Sequence, residues 1–211
     1  MNARFRITFA KWFWLIFVCG LLFAVFFFVG IARGWFGYMP PLEDLQNPKN
    51  KYASEVFSND AVSLGRYYRT ENRVSVNYEE ISPYVINALV ATEDARFYSH
   101  SGIDSKGFIR ALLTLGKAGG GSTITQQLSK QLYSPTASNT FERLLQKPNE
   151  WVIAVQLERL YSKDEIIMMY LNQFDFLYNA VGIKSAAQVY FGKKPIDLTA
   201  EEAAVLIGQP K

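Results

Sequence analysis

The sequence is poor in the residues of metal and nucleophile chemistry: among 211 residues it has one cysteine, Cys19, and one histidine, His100. A single thiol excludes an intrachain disulfide, although it says little about redox compartment, because many exported domains have none. The same scarcity excludes a His/Cys metal cluster and leaves no Ser-His-Asp or Cys-His set worth pursuing. Charge of one sign is also scarce. The net charge is +3 and the basic residues are scattered rather than striped, so no nucleic-acid partner is expected. There is no internal repeat and no low-complexity segment. Whatever chemistry the chain performs falls to carboxylates, amides and cations.

What the sequence does have is one long hydrophobic run. From Trp12 to Ala32 there are 21 residues without a charge, about 31 Å of helix, enough to cross the hydrocarbon core. Trp12 and Trp14 at one end and Trp35 past the other suit interfacial positions. A cleaved signal peptide has a shorter apolar region, about 7–15 residues, and a small-x-small cleavage site that is missing here. An uncleaved anchor (residues 12–32) is therefore expected. Arg4, Arg6 and Lys11 place the tail (residues 1–11) in the cytoplasm and everything after Arg33 outside. Residues 33–50, with Gly34, Gly37, Pro40, Pro41 and Pro48, read as a linker. Residues 51–211 read as one domain.

That domain is expected to be mainly α, with a small N-terminal β-hairpin. Ala53–Phe57 and Val62–Tyr68 are β-like runs flanking a turn at Ser58-Asn59-Asp60. Ser82-Pro83 is an N-cap with proline at the first helical position. Asp104 can cap a second helix, and Ser122 or Thr123 a third. A long helical pattern from about Phe141 to Tyr161 contains Pro148, which marks a restart or a kink. Ser162-Lys-Asp-Glu165 and Thr199-Ala-Glu-Glu202 are capping boxes.

Two runs carry the chemistry. Ala91–Asp104 sets adjacent carboxylates, Glu93 and Asp94, at the end of the first helix, followed by His100 and Gly102. A carboxylate at the end of a buried helix loses part of its water, which suits it to proton transfer. An ordinary helix end with solvated charges fits that run equally well. Gly119–Leu128, Gly-Gly-Gly-Ser-Thr-Ile-Thr-Gln-Gln-Leu, is a glycine loop entering a helix, an arrangement that presents backbone N–H groups to an anion.

Together these runs resemble the peptidoglycan glycosyltransferases, the family 51 domain of class A penicillin-binding proteins and monofunctional transglycosylases. The family's Glu-Asp-x-x-Phe-x-x-His-x-Gly is matched at Glu93, Asp94, Phe97, His100 and Gly102, and its Gly-Gly-Ser-Thr-Ile-Thr-Gln-Gln from Gly120 to Gln127. A third motif, Arg-Lys-x-x-Glu, falls on Gln146, Lys147 and Glu150. The resemblance implies a lysozyme-like helical domain that polymerises lipid II into β-1,4-linked glycan with inversion, releasing undecaprenyl pyrophosphate. It implies Glu93 and Glu150 as catalytic, Glu93 being the base. Ser122, Thr123, Gln126, Gln127, Lys130, Arg143 and Lys147 would bind substrate. Arg110 is a weaker candidate for the same set. Asp94, Phe97, His100, Gly102 and Asn172 would support them. No cofactor is implied as required, and a divalent cation (Mg or Mn) is an option at the pyrophosphate. Implied partners are lipid II, the lipid-linked glycan, the bilayer and other cell-wall synthesis proteins, at the outer face of the cytoplasmic membrane. Phe108, Leu112 and Leu115 are candidates to enter the bilayer, although a helix–helix core face reads the same way.

The chain departs from the family in three places. Gln146 stands where arginine is expected, with Arg143 one turn earlier as a substitute. Asp175-Phe176-Leu177 replaces Tyr-Phe-Gly and reads as a packing variation. The sequence ends at Gly208-Gln-Pro-Lys211, where relatives continue, so a fragment or a truncated product is expected. A muramidase-like hydrolase and a non-catalytic precursor binder or scaffold are the alternatives.

Overall fold

The computed structural model describes residues 3–35, 38–48, 54–60, 63–67, 74–114, 117, 120–135, 137 and 139–208. Ala53, Val62, Tyr68, Leu115 and Gly119 lie outside these residues. The charge-free run forms most of α1 (Ala3–Ala32). Within it Phe9–Ala32 is long and apolar enough to cross a membrane, by length and composition. Pro41 precedes a short α2 (Leu42–Gln46), whose Leu45 is buried. Tyr161 and Tyr133 hydroxyls donate to the carbonyls of Leu45 (2.8 Å) and Asp44 (3.0 Å), so this part of the presumed linker is docked onto the domain.

Backbone pairing joins β1 (Ser54–Phe57) to β2 (Ser63–Tyr67), antiparallel, with Ser54 opposite Tyr67. The body that follows is helical and, among the described residues, contains no sheet beyond an isolated Asp175–Val181 bridge. Its elements are α3 (Pro83–Glu93), α4 (Ser105–Leu113), α5 (Ile124–Tyr133), α6 (Thr140–Leu160), α7 (Lys163–Gln173), α8 (Ile183–Phe191) and α9 (Ala200–Gly208). The chain is mainly α.

The starts of these helices follow from side chains that satisfy otherwise unpaired backbone N–H groups. Ser82 accepts from the Tyr84 N–H, and Thr123 from the Gln126 N–H. Ser162 and Glu165 form a complete capping box. Thr199 and Glu202 exchange the same pair of bonds (3.0 and 3.4 Å). Asp104 stands at the start of α4 and accepts from the Arg96 guanidinium at 2.5 and 3.1 Å. Pro148 neither restarts nor ends α6, which runs through it. The bond that proline cannot donate belongs to the carbonyl of Leu144, an exposed residue where water can replace it.

The core sits around α5, which packs on α6 and α7, while α3 packs on α9. Ile124, Leu128, Ile153, Leu157, Ile167 and Leu171 meet there without solvent contact. Fully burying each such side chain stabilises the fold by roughly 1.5–3 kcal/mol. By contrast α4 leaves Phe108, Ile109, Leu112 and Leu113 exposed, so its apolar face is not a helix–helix core face.

The Asp175-Phe176-Leu177 variation is a matter of backbone rather than packing. Leu177, Tyr178 and Asn179 all have positive φ, at 68°, 48° and 64°. Leu177 thus holds a left-handed conformation at the position where the family motif has glycine. Left-handed geometry costs an L residue roughly 1–2 kcal/mol. Leu177→Gly is expected to stabilise the domain by about 1 kcal/mol after the entropy of the freer unfolded chain is subtracted. Thermal unfolding of the two chains measures this, and an equal or lower midpoint for the glycine variant would contradict it.

Candidate active site

Glu93 is the last residue of α3, and the backbone turns at Asp94. The Asp94 carboxylate is buried, accepting from the Ile124 N–H (3.2 Å) and from His100 Nε2 (3.0 Å to each oxygen). Asp94 therefore ties the end of α3 to the start of α5 and aims Glu93 across the junction. Glu93 is partly buried and accepts from the Gln127 amide at 3.0 Å. The Gln127 carbonyl oxygen in turn accepts from the Tyr170 hydroxyl at 3.1 Å. Burial pushes the Tyr170 hydroxyl up in pKa, and the Glu93 charge adds to this. Tyr170 thus remains a donor and fixes which end of the Gln127 amide meets Glu93.

Glu150 has no solvent exposure although it carries a carboxylate. Both guanidinium nitrogens of Arg143 meet it, the Nη2 contact at 3.4 Å. Lys147 Nζ lies 3.2 Å from Glu150 Oε2, and the Ser134 hydroxyl donates to Oε1 at 3.4 Å. A buried carboxylate is tolerated only when paired in this way. Lys147 Nζ also donates to Ser122 Oγ at 2.9 Å. Ser122 lines a cavity of about 50 Å³ together with Glu93, Arg96, Arg110 and Gly121. The loop at Ser122 thus links the two carboxylates: Glu93 on its cavity side, and Lys147 with Glu150 on the other. Lys130 belongs to the same neighbourhood. Burial lowers its pKa first, and Arg143 and Lys147 lower it further against the opposing pull of Glu150.

Two residues expected to touch substrate are engaged in the interior, although Thr123 also lines the Ser122 cavity. Thr123 and Gln126 are buried, and both donate to the Gly102 carbonyl, at 2.7 and 3.3 Å. They hold a turn. The reason is local: Thr123 must cap α5, and one helical turn later Gln126 falls on the same interior side. Gly102 has φ of 88°, and a Cβ there would lie 3.0 Å from the Ala154 carbonyl carbon and oxygen. Gly102→Ala is expected to cost about 2–3 kcal/mol, because the strained φ and the contact with α6 backbone act together. Chemical denaturation measures it, and a loss under about 0.5 kcal/mol would show that the turn can shift.

Phe97 is buried, with Lys163 Nζ 4.2 Å above its ring. That ammonium also donates to the His100 carbonyl (2.7 Å) and pairs with Glu158 at 2.7 Å. Asn172 holds both the N–H and the carbonyl of Val76, at 3.0 and 2.9 Å. Tyr170, Lys163, Glu158 and Ser134 contact these residues and were not among those expected from the sequence. Arg110 instead reaches the Gly120 carbonyl, at 3.3 Å. Gln146 accepts from Arg143 at 3.3 Å, so this arginine spans the substituted position and Glu150 together. Glu150 does not fit a divalent cation: its oxygens already meet Arg143 and Lys147. Among the described residues no three His, Cys, Asp or Glu groups converge as a metal site.

The sequence model of the family described as Transglycosylase matches residues 60–211, most of the chain. The chain belongs to the transglycosylase family. Among its relatives, the family member is 36% identical to penicillin-binding protein 1A of Escherichia coli K12 over 208 residues, covering 96% of this chain and 24% of that one. It is 49% identical over 146 residues to penicillin-binding protein 1F of Bacillus subtilis 168, covering 67% of this chain and 20% of the other. Penicillin-binding protein 1A of Aquifex aeolicus is 41% identical over 186 residues, covering 82% and 24%. This transglycosylase-family chain thus spans about a quarter or less of the curated relatives it matches.

Proposed function

We propose that the chain is a membrane-anchored peptidoglycan glycosyltransferase that polymerises lipid II. Glu93 takes the proton from the 4-hydroxyl of an acceptor GlcNAc. The freed oxygen attacks the anomeric carbon of the MurNAc at the reducing end of the lipid-linked donor. The bond from that carbon to the α-linked pyrophosphate breaks as a β-1,4 bond forms, so the configuration inverts. A pyrophosphate leaving group calls for cations rather than a second acid. Lys147, Lys130 and Arg143 supply them, with Glu150 fixing Arg143 and Lys147 in place. The observation that carries this reading is the link from Glu93 through the Ser122 cavity to Lys147 and Glu150.

In the same reading α1 crosses the membrane once, with its basic N-terminus inside and the helical domain outside. A polyprenyl substrate stays in the bilayer, so an anchored enzyme meets it at high effective concentration. Phe108 and Leu112, exposed on α4, enter the same bilayer surface.

The test is to incubate the detergent-purified chain with labelled lipid II and separate the products on a gel. A glycan ladder is the expected result. Shortening of preformed glycan without a ladder would identify a hydrolase instead. Retention of lipid II without turnover would identify a binder.

A further inference from the structure

The side of α6 away from Glu150 carries two cavities that the reaction does not use. At roughly 100° per residue, Glu150, Ile153, Ala154 and Leu157 share the buried side of this helix, whereas Val152, Val155, Gln156 and Arg159 point the opposite way. On that outer side α1 packs along α6. Between them is a cavity of about 550 Å³ walled by Phe28, Val29, Ile103, Trp151 and Val155. A second cavity, of about 540 Å³, shares Ala32, Gln156 and Arg159 with the first and adds Arg33. Each is within the roughly 300–1,000 Å³ of ordinary ligand sites. End to end they form one amphipathic volume, hydrocarbon-like below and bearing two guanidinium groups above. No Asp or Glu lines either part.

The geometry points to a binding site for an anionic diacyl phospholipid, its acyl chain between α1 and α6 and its phosphate between Arg33 and Arg159. This rests on the reading of α1 as a membrane anchor. Positions 24–29 then lie within the hydrocarbon core, where an apolar void is filled by hydrocarbon rather than water. Arg33 follows the span directly, at the depth of the headgroups, and paired guanidinium groups are the usual partners of phosphate. The occupant is not the reacting lipid. A headgroup held at Arg159 is on the far side of α6 from Glu150, and the two cavities share no residue with the one containing Glu93.

Trp151, in the wall of the lower cavity, supplies the readout. The full chain carrying Trp12→Phe, Trp14→Phe and Trp35→Phe leaves it as the sole tryptophan, excited selectively over the tyrosines. It is placed in phosphatidylcholine vesicles containing a minor fraction of acyl-brominated phosphatidylglycerol or, separately, acyl-brominated phosphatidylcholine. The brominated phosphatidylglycerol is expected to quench Trp151 several-fold more than its zwitterionic counterpart, and Arg159→Gln to bring the two close to parity. Equal quenching by the two headgroups would overturn the proposal. So would relief of the quenching by unbrominated polyprenyl phosphate, which would make the occupant a prenyl lipid. A companion chain keeping Trp14 alone tests the anchor. Quenching of Trp14 without quenching of Trp151 removes the lipid site only; quenching of neither removes the anchor and the site together.

Discussion

Glu93→Gln is expected to lower the rate of glycan polymerisation by about 10²–10⁴-fold, the usual contribution of a general base. The substitution keeps the length of the side chain. Its amide oxygen can still accept from Gln127, which the Tyr170 hydroxyl holds in one orientation. The fold and the affinity for lipid II should therefore change little, and the loss should fall on turnover. Single-turnover gel assays beside a binding measurement separate the two. Turnover within about tenfold of the unsubstituted chain would remove Glu93 as the base, and His100 would then be the next group to test. His100 is a poor substitute on geometry. Its Nε2 is committed to Asp94, and its Nδ1 is buried with no partner among the described residues.

Glu150→Ala is expected to have the largest effect on stability, about 3 kcal/mol, the lower end of what breaking a buried ion pair costs. Glu150 has no exposure, while the side chains of Arg143 and Lys147 are each 28% exposed. Without the carboxylate, these two cations face each other and the nearby Lys130. For a chain of this size the unfolding midpoint should fall by roughly 6–12 °C. Polymerisation should be lost as well, because the cations no longer hold their positions beside Ser122. Glu150→Gln distinguishes the two consequences. It preserves the shape and the Ser134 contact but not the charge, so it should fold better than the alanine variant and still polymerise poorly. A glutamine variant with full activity would show that Glu150 contributes packing alone.

The helical class and most helix starts were legible because they depend on local chemistry: a serine or threonine three positions before a glutamate, or a proline after a serine. The long apolar helix α1 was legible from a run of 21 uncharged residues. The relation between Glu93 and Glu150 was not, because 57 positions separate them and only tertiary packing brings Ser122 between them. The burial of Thr123 and Gln126 was hidden for the same reason. A polar side chain in a motif reads identically whether it serves a ligand or a buried carbonyl, and here the Gly102 carbonyl claims both. Pro148 was read as a restart or a kink because its missing donor is a local fact, whereas the exposure of Leu144 that lets α6 run through it is not. Leu177 shows the reverse. Its departure from glycine was visible at once, but its meaning waited for a backbone angle.

One uninterrupted helix, α6, runs 21 residues and bears the Glu150 clamp inside and the seat of α1 outside. With α1 in a bilayer, that shared rod sets the standoff of the reaction centre from the lipid surface. The clearance available to an incoming sugar chain then varies with membrane thickness and helix tilt.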